Sequence, residues 1–387
     1  MPPSKRLAFI DLLRGWAVIV MIETHVINAT IIPGLRDTSL FAVINFINGL
    51  VAPSFLFASG MAYAVTTRRK LGGYLSFAAP LYKQFGRLLL VLLVGYVLHL
   101  PHFNLRSLTQ GVQPREWLVF FQSDVLQCIA VSLLLLQVLL LMLRNERRLY
   151  SVAAVLTVVV IFVTPFMWGY DFLAVLPAPV AAYMNGLHHS NFPLFPWAAF
   201  LFAGAITGYL FSSGKAMAGE SGAEQFSTLA VRRFLQVGGG LILISFPLIF
   251  LGRVYPTYDY WRFSPSFVLL RIGIVLLLCA LIYWYETRKG VSATSPVTLV
   301  GRESLLVYAV HLLLIYGNFS GFSFRNWADY RYGYGEVFLA TAVLLLVMYG
   351  LALWWEWIKQ KGERWRRGVQ LATLVILVLV FLFGPGV

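Results

Sequence analysis

The sequence predicts an all-α integral membrane protein, a polytopic bundle of about eleven transmembrane helices with its N-terminus inside. Three observations predict it. Hydrophobic residues make up 59% of the 387 residues and charged residues only 12%, about half the charged share of a soluble domain. The mean hydropathy of +0.77 comes from separated apolar runs, each close to the roughly 20 residues that carry a helix across a bilayer core of about 30 Å. The runs are helix-length and do not alternate with period two. That argues against a closed barrel, the other architecture that satisfies the backbone in lipid.

Helices are expected near 8–31, 44–67, 84–100, 118–143, 148–168, 193–213, 231–251, 265–286, 294–317, 335–358 and 369–383. The connections are short and leave no room for a soluble domain. The chain 1–387 therefore reads as a single transmembrane domain, with its core at about 6–317 and peripheral helices over 335–387. The longest connection, 169–192, is apolar, carries Pro177 and Pro179, and suits an interfacial or re-entrant piece. The first segment is longer than a signal-peptide core and contains Asp11, Arg14, Glu23 and His25, so it reads as a retained helix. Cys128 and Cys279 fall inside predicted helices and read as small packing residues. No metal site is expected.

The net charge of +14 invites a nucleic-acid reading, but its distribution points elsewhere. Alternate loops, beginning with the N-terminus, hold 20 of the 30 Lys and Arg, and the other set holds 7. That bias fits the positive-inside rule with a cytoplasmic N-terminus and an outer C-terminus. It also fits contact with anionic lipid in a multi-pass plasma (inner) membrane protein, with no nucleic-acid partner.

Charges inside lipid are costly and point to function. In the first helix Asp11, Arg14, Val18, Met21 and His25 share one face, with Glu23 on another. His25 lies about 16 Å beyond Arg14 along the axis. It serves either as a general base, since an imidazole titrates near neutrality, or as a structural histidine bonded to a neighbouring helix. Asp11 and Arg14 also suit a plain i,i+3 pair. On the second helix Asn45 and Asn48 lie near the level of His25, and Ser59-Gly60 marks a place for close helix packing. Arg68, Arg69 and Lys70, with Lys83 and Arg87, form either a positive-inside flank or a phosphate-binding mouth. Asp124 and Gln127 open the fourth helix in the outer half, where Asp124 orients a histidine or caps its helix. Arg271, at the outer end of the eighth helix, snorkels or binds an anionic glycan. On the ninth helix Gly301, Ser304, Tyr308 and His311 cluster on one side, and Arg302 and Glu303 mark its cytoplasmic start. The aromatic run Tyr255 to Phe263 reads as an interfacial belt, with sugar stacking as the alternative.

Several of these segments carry a family likeness. Arg14 followed by ten residues and His25 resembles the first-helix signature of the acyltransferase-three superfamily. Asp11-Leu12-Leu13-Arg14-Gly15, Phe55-Leu56-Phe57-Ala58-Ser59-Gly60, Val125-Leu126-Gln127, Phe192-Pro193-Leu194-Phe195-Pro196-Trp197 and Gly301-Arg302-Glu303-Ser304-Leu305 through His311 point to a branch. Together they resemble the catalytic domain of heparan-α-glucosaminide N-acetyltransferase and its bacterial relatives, from Arg6 to about Tyr316. The resemblance implies acetyl transfer from cytoplasmic acetyl-CoA, as co-substrate, to a glycan beyond the membrane. His25 is then the catalytic histidine and Arg14 its motif partner. Arg68, Arg69, Lys83, Arg87 and Arg302 are the expected acyl-CoA contacts. Asn45, Asn48, Asp124, Gln127, Arg271 and His311 are the expected acceptor contacts. The third-helix side lacks an Arg-x-x-Arg, and Lys83 and Arg87 are its nearest equivalents. Expected partners are membrane lipids, acyl-CoA and a glycan acceptor, with a homodimer left open. The competing class is a transporter or exporter of a glycan or small solute, because buried Asp, Arg and His also build proton relays.

Overall fold

The computed structural model describes residues 7–292, 295–317 and 323–384. In chain order the α-helices are α1 (Ala8–Thr30), α2 (Ser39–Asn48), α3 (Val51–Leu75), α4 (Ala79–Val97), α5 (Leu105–Thr109), α6 (Pro114–Phe121), α7 (Val125–Leu143), α8 (Glu146–Trp168) and α9 (Ala178–Ala181). They continue with α10 (Leu194–Ala218), α11 (Ala223–Ser245), α12 (Pro265–Lys289), α13 (Pro296–Arg302), α14 (Ser304–Tyr316), α15 (Phe324–Ala328), α16 (Tyr334–Gln360) and α17 (Glu363–Phe383). The described residues form no strand, only an isolated bridge between Ile31 and Tyr332.

Eight helical stretches are long and apolar enough to cross a membrane, or nine if the bent pair α13–α14 is one span. α1 and α4 lie where the first and third helices are expected but are not among the eight. Their polar residues, Asp11, Arg14 and Glu23 in one and Lys83 and Arg87 in the other, dilute the apolar run.

Three expected helices differ from the structure. The segment 44–67 is two helices, α2 and α3, parted at Gly49 and Leu50. The segment 118–143 starts only at Val125, where the Asp124 side chain accepts from the Val125 N–H and caps α7; α6 precedes it separately. The segment 294–317 is broken between α13 and α14 by 87°. Arg302 and Glu303 therefore sit at an internal break instead of a helix start, and Gly301 is not on one straight face with Tyr308 and His311.

The chain forms two compact units. The first comprises Met1–Leu13, Ala52–Val97 and Phe121–Val291. Its core depends on backbone approach at small residues. A Cβ on Gly60 of α3 would overlap the carbonyl oxygen of Leu201 in α10, and one on Gly204 would overlap that of Phe57. Gly238 of α11 and Gly273 of α12 stand in the same relation. Lipid tails are as apolar as leucine, so helices in a bilayer gain little from apolar burial and rely on such close packing. Cys128 and Cys279 are fully buried within this core. Glu286 of α12 accepts the Phe9 N–H at 2.8 Å, satisfying an orphan donor of the first turn of α1.

The second unit comprises Arg14–Val51, Leu98–Phe120 and Ser292–Val387. Gly15 lets α1 meet the backbone of α13 at Val297. Val18, Ile22 and Val26 of α1 are buried, as are Val337, Met348 and Ala352 of α16. At the α13–α14 break four charges neutralise one another. Arg302 reaches Glu356 at 3.0 Å and Glu303 at 3.5 Å, and Lys359 reaches Glu303 and, at 3.6 Å, Glu356. Charges this buried persist in an apolar setting only when paired.

Candidate functional site

The second unit brings two predicted histidines together. His25 Nδ1 of α1 lies 3.0 Å from His311 Nε2 of α14, with ring centroids 5.0 Å apart. His311 is wholly buried and His25 half-buried. The other ring nitrogen of His311, Nδ1, is 2.8 Å from the Val307 carbonyl one turn earlier. A carbonyl only accepts, so His311 Nδ1 carries the proton and its Nε2 is an acceptor. His25 Nδ1 must then be the donor, and the lone pair of His25 falls on Nε2. The chain of hydrogen bonds thus runs in one direction and leaves His25 with a basic nitrogen at its far edge. Tyr316 steadies the arrangement: its hydroxyl donates to the His25 carbonyl at 3.2 Å and its ring meets the imidazole edge-on.

In the same unit, Asn48 of α2 lies beside the Glu23 carboxyl of α1. Glu23 Oε1 is buried with no hydrogen-bond partner among the described residues. Asn45 is exposed on the same short helix. Arg14 is half-buried on α1, three turns before His25. Arg302, expected as an acyl-CoA contact, lies between two carboxylates in the charge quartet.

The remaining candidates belong to the first unit. Arg68 and Arg69 near the end of α3, and Lys83 and Arg87 near the start of α4, are all exposed. Lys70 feels the charges of both Lys83 and Arg87. Arg68 donates to the Ser213 hydroxyl at 2.5 Å, and Arg144 reaches the Leu75 carbonyl at 3.3 Å. One end of the unit thus gathers cations from two interhelical turns. Asp124 caps α7. Gln127 is fully buried against Gly95, and its amide makes no hydrogen bond among the described residues. Arg271 does not snorkel: it is 5% exposed, with its guanidinium 4.8 Å from the Phe267 ring.

Val307 and Tyr316 were not singled out by the sequence as supports for the histidines. The i−4 spacing of Val307 from His311 was available, since a helical side chain reaches back over the preceding turn. Nothing local marks Tyr316, because its partner lies 291 residues away.

Residues 6–240 match the family model described as heparan-alpha-glucosaminide N-acetyltransferase, catalytic. The matched segment contains Arg14, His25, the Arg68–Arg87 cations, Asp124 and Gln127; Arg271, Arg302 and His311 lie beyond it. No curated protein matches the chain.

Proposed function

From the premise that the chain belongs to the heparan-alpha-glucosaminide N-acetyltransferase catalytic-domain family, we propose that it moves an acetyl group from cytoplasmic acetyl-CoA to a sugar on the extracytoplasmic side of the plasma (inner) membrane. The observation that carries the chemistry is the 3.0 Å contact between His25 and His311 with its fixed proton order. His25 Nε2 takes the proton of the acceptor amine or hydroxyl as that atom attacks the thioester carbonyl. The tetrahedral intermediate collapses, the C–S bond breaks, and the proton on Nε2 passes to the departing CoA thiolate. His311 holds the imidazole in the required tautomer and accepts from it more strongly as it becomes imidazolium, a role that an aspartate fills in other triads. The Asn48 amide supplies a donor for the oxyanion.

The topology proposed is eleven crossings with the N-terminus in the cytoplasm. The eight apolar stretches, the bent pair and the helices α1 and α4 support it. In that orientation Arg68, Arg69, Lys83 and Arg87 meet the CoA phosphates on the cytoplasmic side. Purified protein incubated with acetyl-labelled acetyl-CoA and a membrane glycan fraction should transfer label to the glycan. Retention of all label on CoA under conditions where the protein stays folded would refute the reading.

A further inference from the structure

At the end of the first unit away from the Arg68–Arg87 cations, the loops after α8 and before α12 enclose a cleft of about 630 Å³. The α8 helix separates the two ends by about 33 Å, close to a bilayer thickness. We propose that this cleft binds an anionic saccharide unit; that the unit belongs to the acceptor rests on the transferase reading above.

The argument begins with how firmly the cleft is built. The last turn of α8 leaves carbonyls without helical partners, and side chains from both loops satisfy them. Thr257 donates to the Pro165 carbonyl at 2.6 Å, and the Asn185 amide donates to those of Met167 and Tyr170 at 2.8 Å each. His188 bonds Asp171 at 2.7 Å and holds that carboxyl below the usual range. Ser190, 2% exposed, accepts the Ser123 N–H at 2.9 Å. The next residue back, His189, has φ +67°, a left-handed conformation that costs a non-glycine residue energy and persists only where neighbours enforce it. Pre-organised loops of this kind lower the ordering cost of binding.

The wall is aromatic and the rim polar. Trp168 stacks on Phe263 with centroids 4.5 Å apart, and its indole N–H donates to the Phe195 carbonyl at 2.9 Å. The Arg262 guanidinium lies 5.1 Å from the Trp168 ring. That contact holds its plane while leaving edge N–H groups for a ligand. Arg262 makes no ion pair among the described residues, and no carboxylate lines the cleft. His189 and Asn191 complete the rim with exposed hydrogen-bonding side chains. One fixed positive charge, an imidazole and a carboxamide around a rigid aromatic wall suit a ring with several hydroxyls and one carboxylate, sulfate or phosphate. The volume falls within the roughly 300–1,000 Å³ of small-ligand clefts.

The test uses full-length protein in neutral detergent, without acetyl-CoA, so that binding is read independently of transfer. A fluorescent uronate-containing tetrasaccharide is titrated beside its carboxyl-reduced, neutral counterpart. The charged form should bind more tightly. Arg262→Gln should weaken it roughly three- to tenfold, erase the preference, and leave acetyl transfer to free glucosamine unchanged. Asn191→Ala, an exposed change that spares the fold, should weaken both forms. Equal binding of the two forms, or wild-type binding by Arg262→Gln, overturns the proposal. So does displacement of the tetrasaccharide by glycerol 1-phosphate at equal concentration, which would assign the cleft to a lipid headgroup. Saccharide binding without any acetyl transfer would leave the subsite standing and refute the transferase reading instead.

Discussion

Nδ1 of His311 sits 2.8 Å from the carbonyl oxygen of Val307, and this contact decides which nitrogen of His25 is basic. A backbone acceptor one turn away sets a tautomer that passes, through a single hydrogen bond, to a residue 286 positions earlier in the chain.

His25→Ala should abolish acetyl transfer by roughly 10²–10⁴-fold while acetyl-CoA still binds. Paired assays of label transfer and CoA binding check this. Near-wild-type transfer would show that another group removes the acceptor proton.

At His311 the relay predicts an asymmetry between substitutions. His311→Ala removes the acceptor for the His25 Nδ1 proton and should cost roughly 10–100-fold. His311→Gln keeps a carbonyl acceptor and should recover part of that loss in kcat with little change in KM. Identical loss in both variants would reduce His311 to packing.

The exposed cations should act through long-range attraction. Arg69→Gln with Arg87→Gln should weaken acetyl-CoA binding, more at low salt than at 0.5 M, because exposed charges are screened within about 10 Å at 0.1 M. Affinity unchanged at every salt concentration would leave the cluster as a topology signal only.

Gly204→Val forces a side chain into the carbonyl of Phe57 and should destabilise the protein by about 1–3 kcal/mol or more. Its unfolding midpoint in detergent should fall. Gly239, which faces open space, is the control: Gly239→Ala should hold or raise the midpoint. Equal midpoints for the two variants would remove close packing as the reason for Gly204.

Reporter fusions at the α7–α8 turn and at the C-terminus should report opposite sides of the membrane. The same side for both would rule out eleven crossings.

Much of the helical layout was legible, because hydropathy is a property of contiguous residues and the bilayer sets their length. The breaks were not. Gly49 and Leu50 interrupt an apolar run without altering its hydropathy, and the charges Arg302 and Glu303 at the α13–α14 bend meet Glu356 and Lys359, more than 50 residues away. The depth of His25 and of His311 could be counted along their own helices, but their meeting could not. Asp124 was legible either as a cap, from its position before an apolar run, or as a histidine partner, and it caps α7. Arg271 was read as snorkelling or as binding an anionic glycan; its burial, with the guanidinium 4.8 Å from the Phe267 ring, speaks only to the first of these. The close packing at Gly60 was anticipated; its partner Gly204 follows only from the fold.

The quartet of Arg302, Glu303, Glu356 and Lys359 balances two positive and two negative charges in a place where an odd one is poorly tolerated. Loss of any single member strands its partners, whereas loss of one cation together with one anion leaves the remainder neutral. Natural variation at these four positions should therefore come in compensating pairs. Positions 302–303 and 356–359 would then be inherited as a linked set, in which each change waits on its complement.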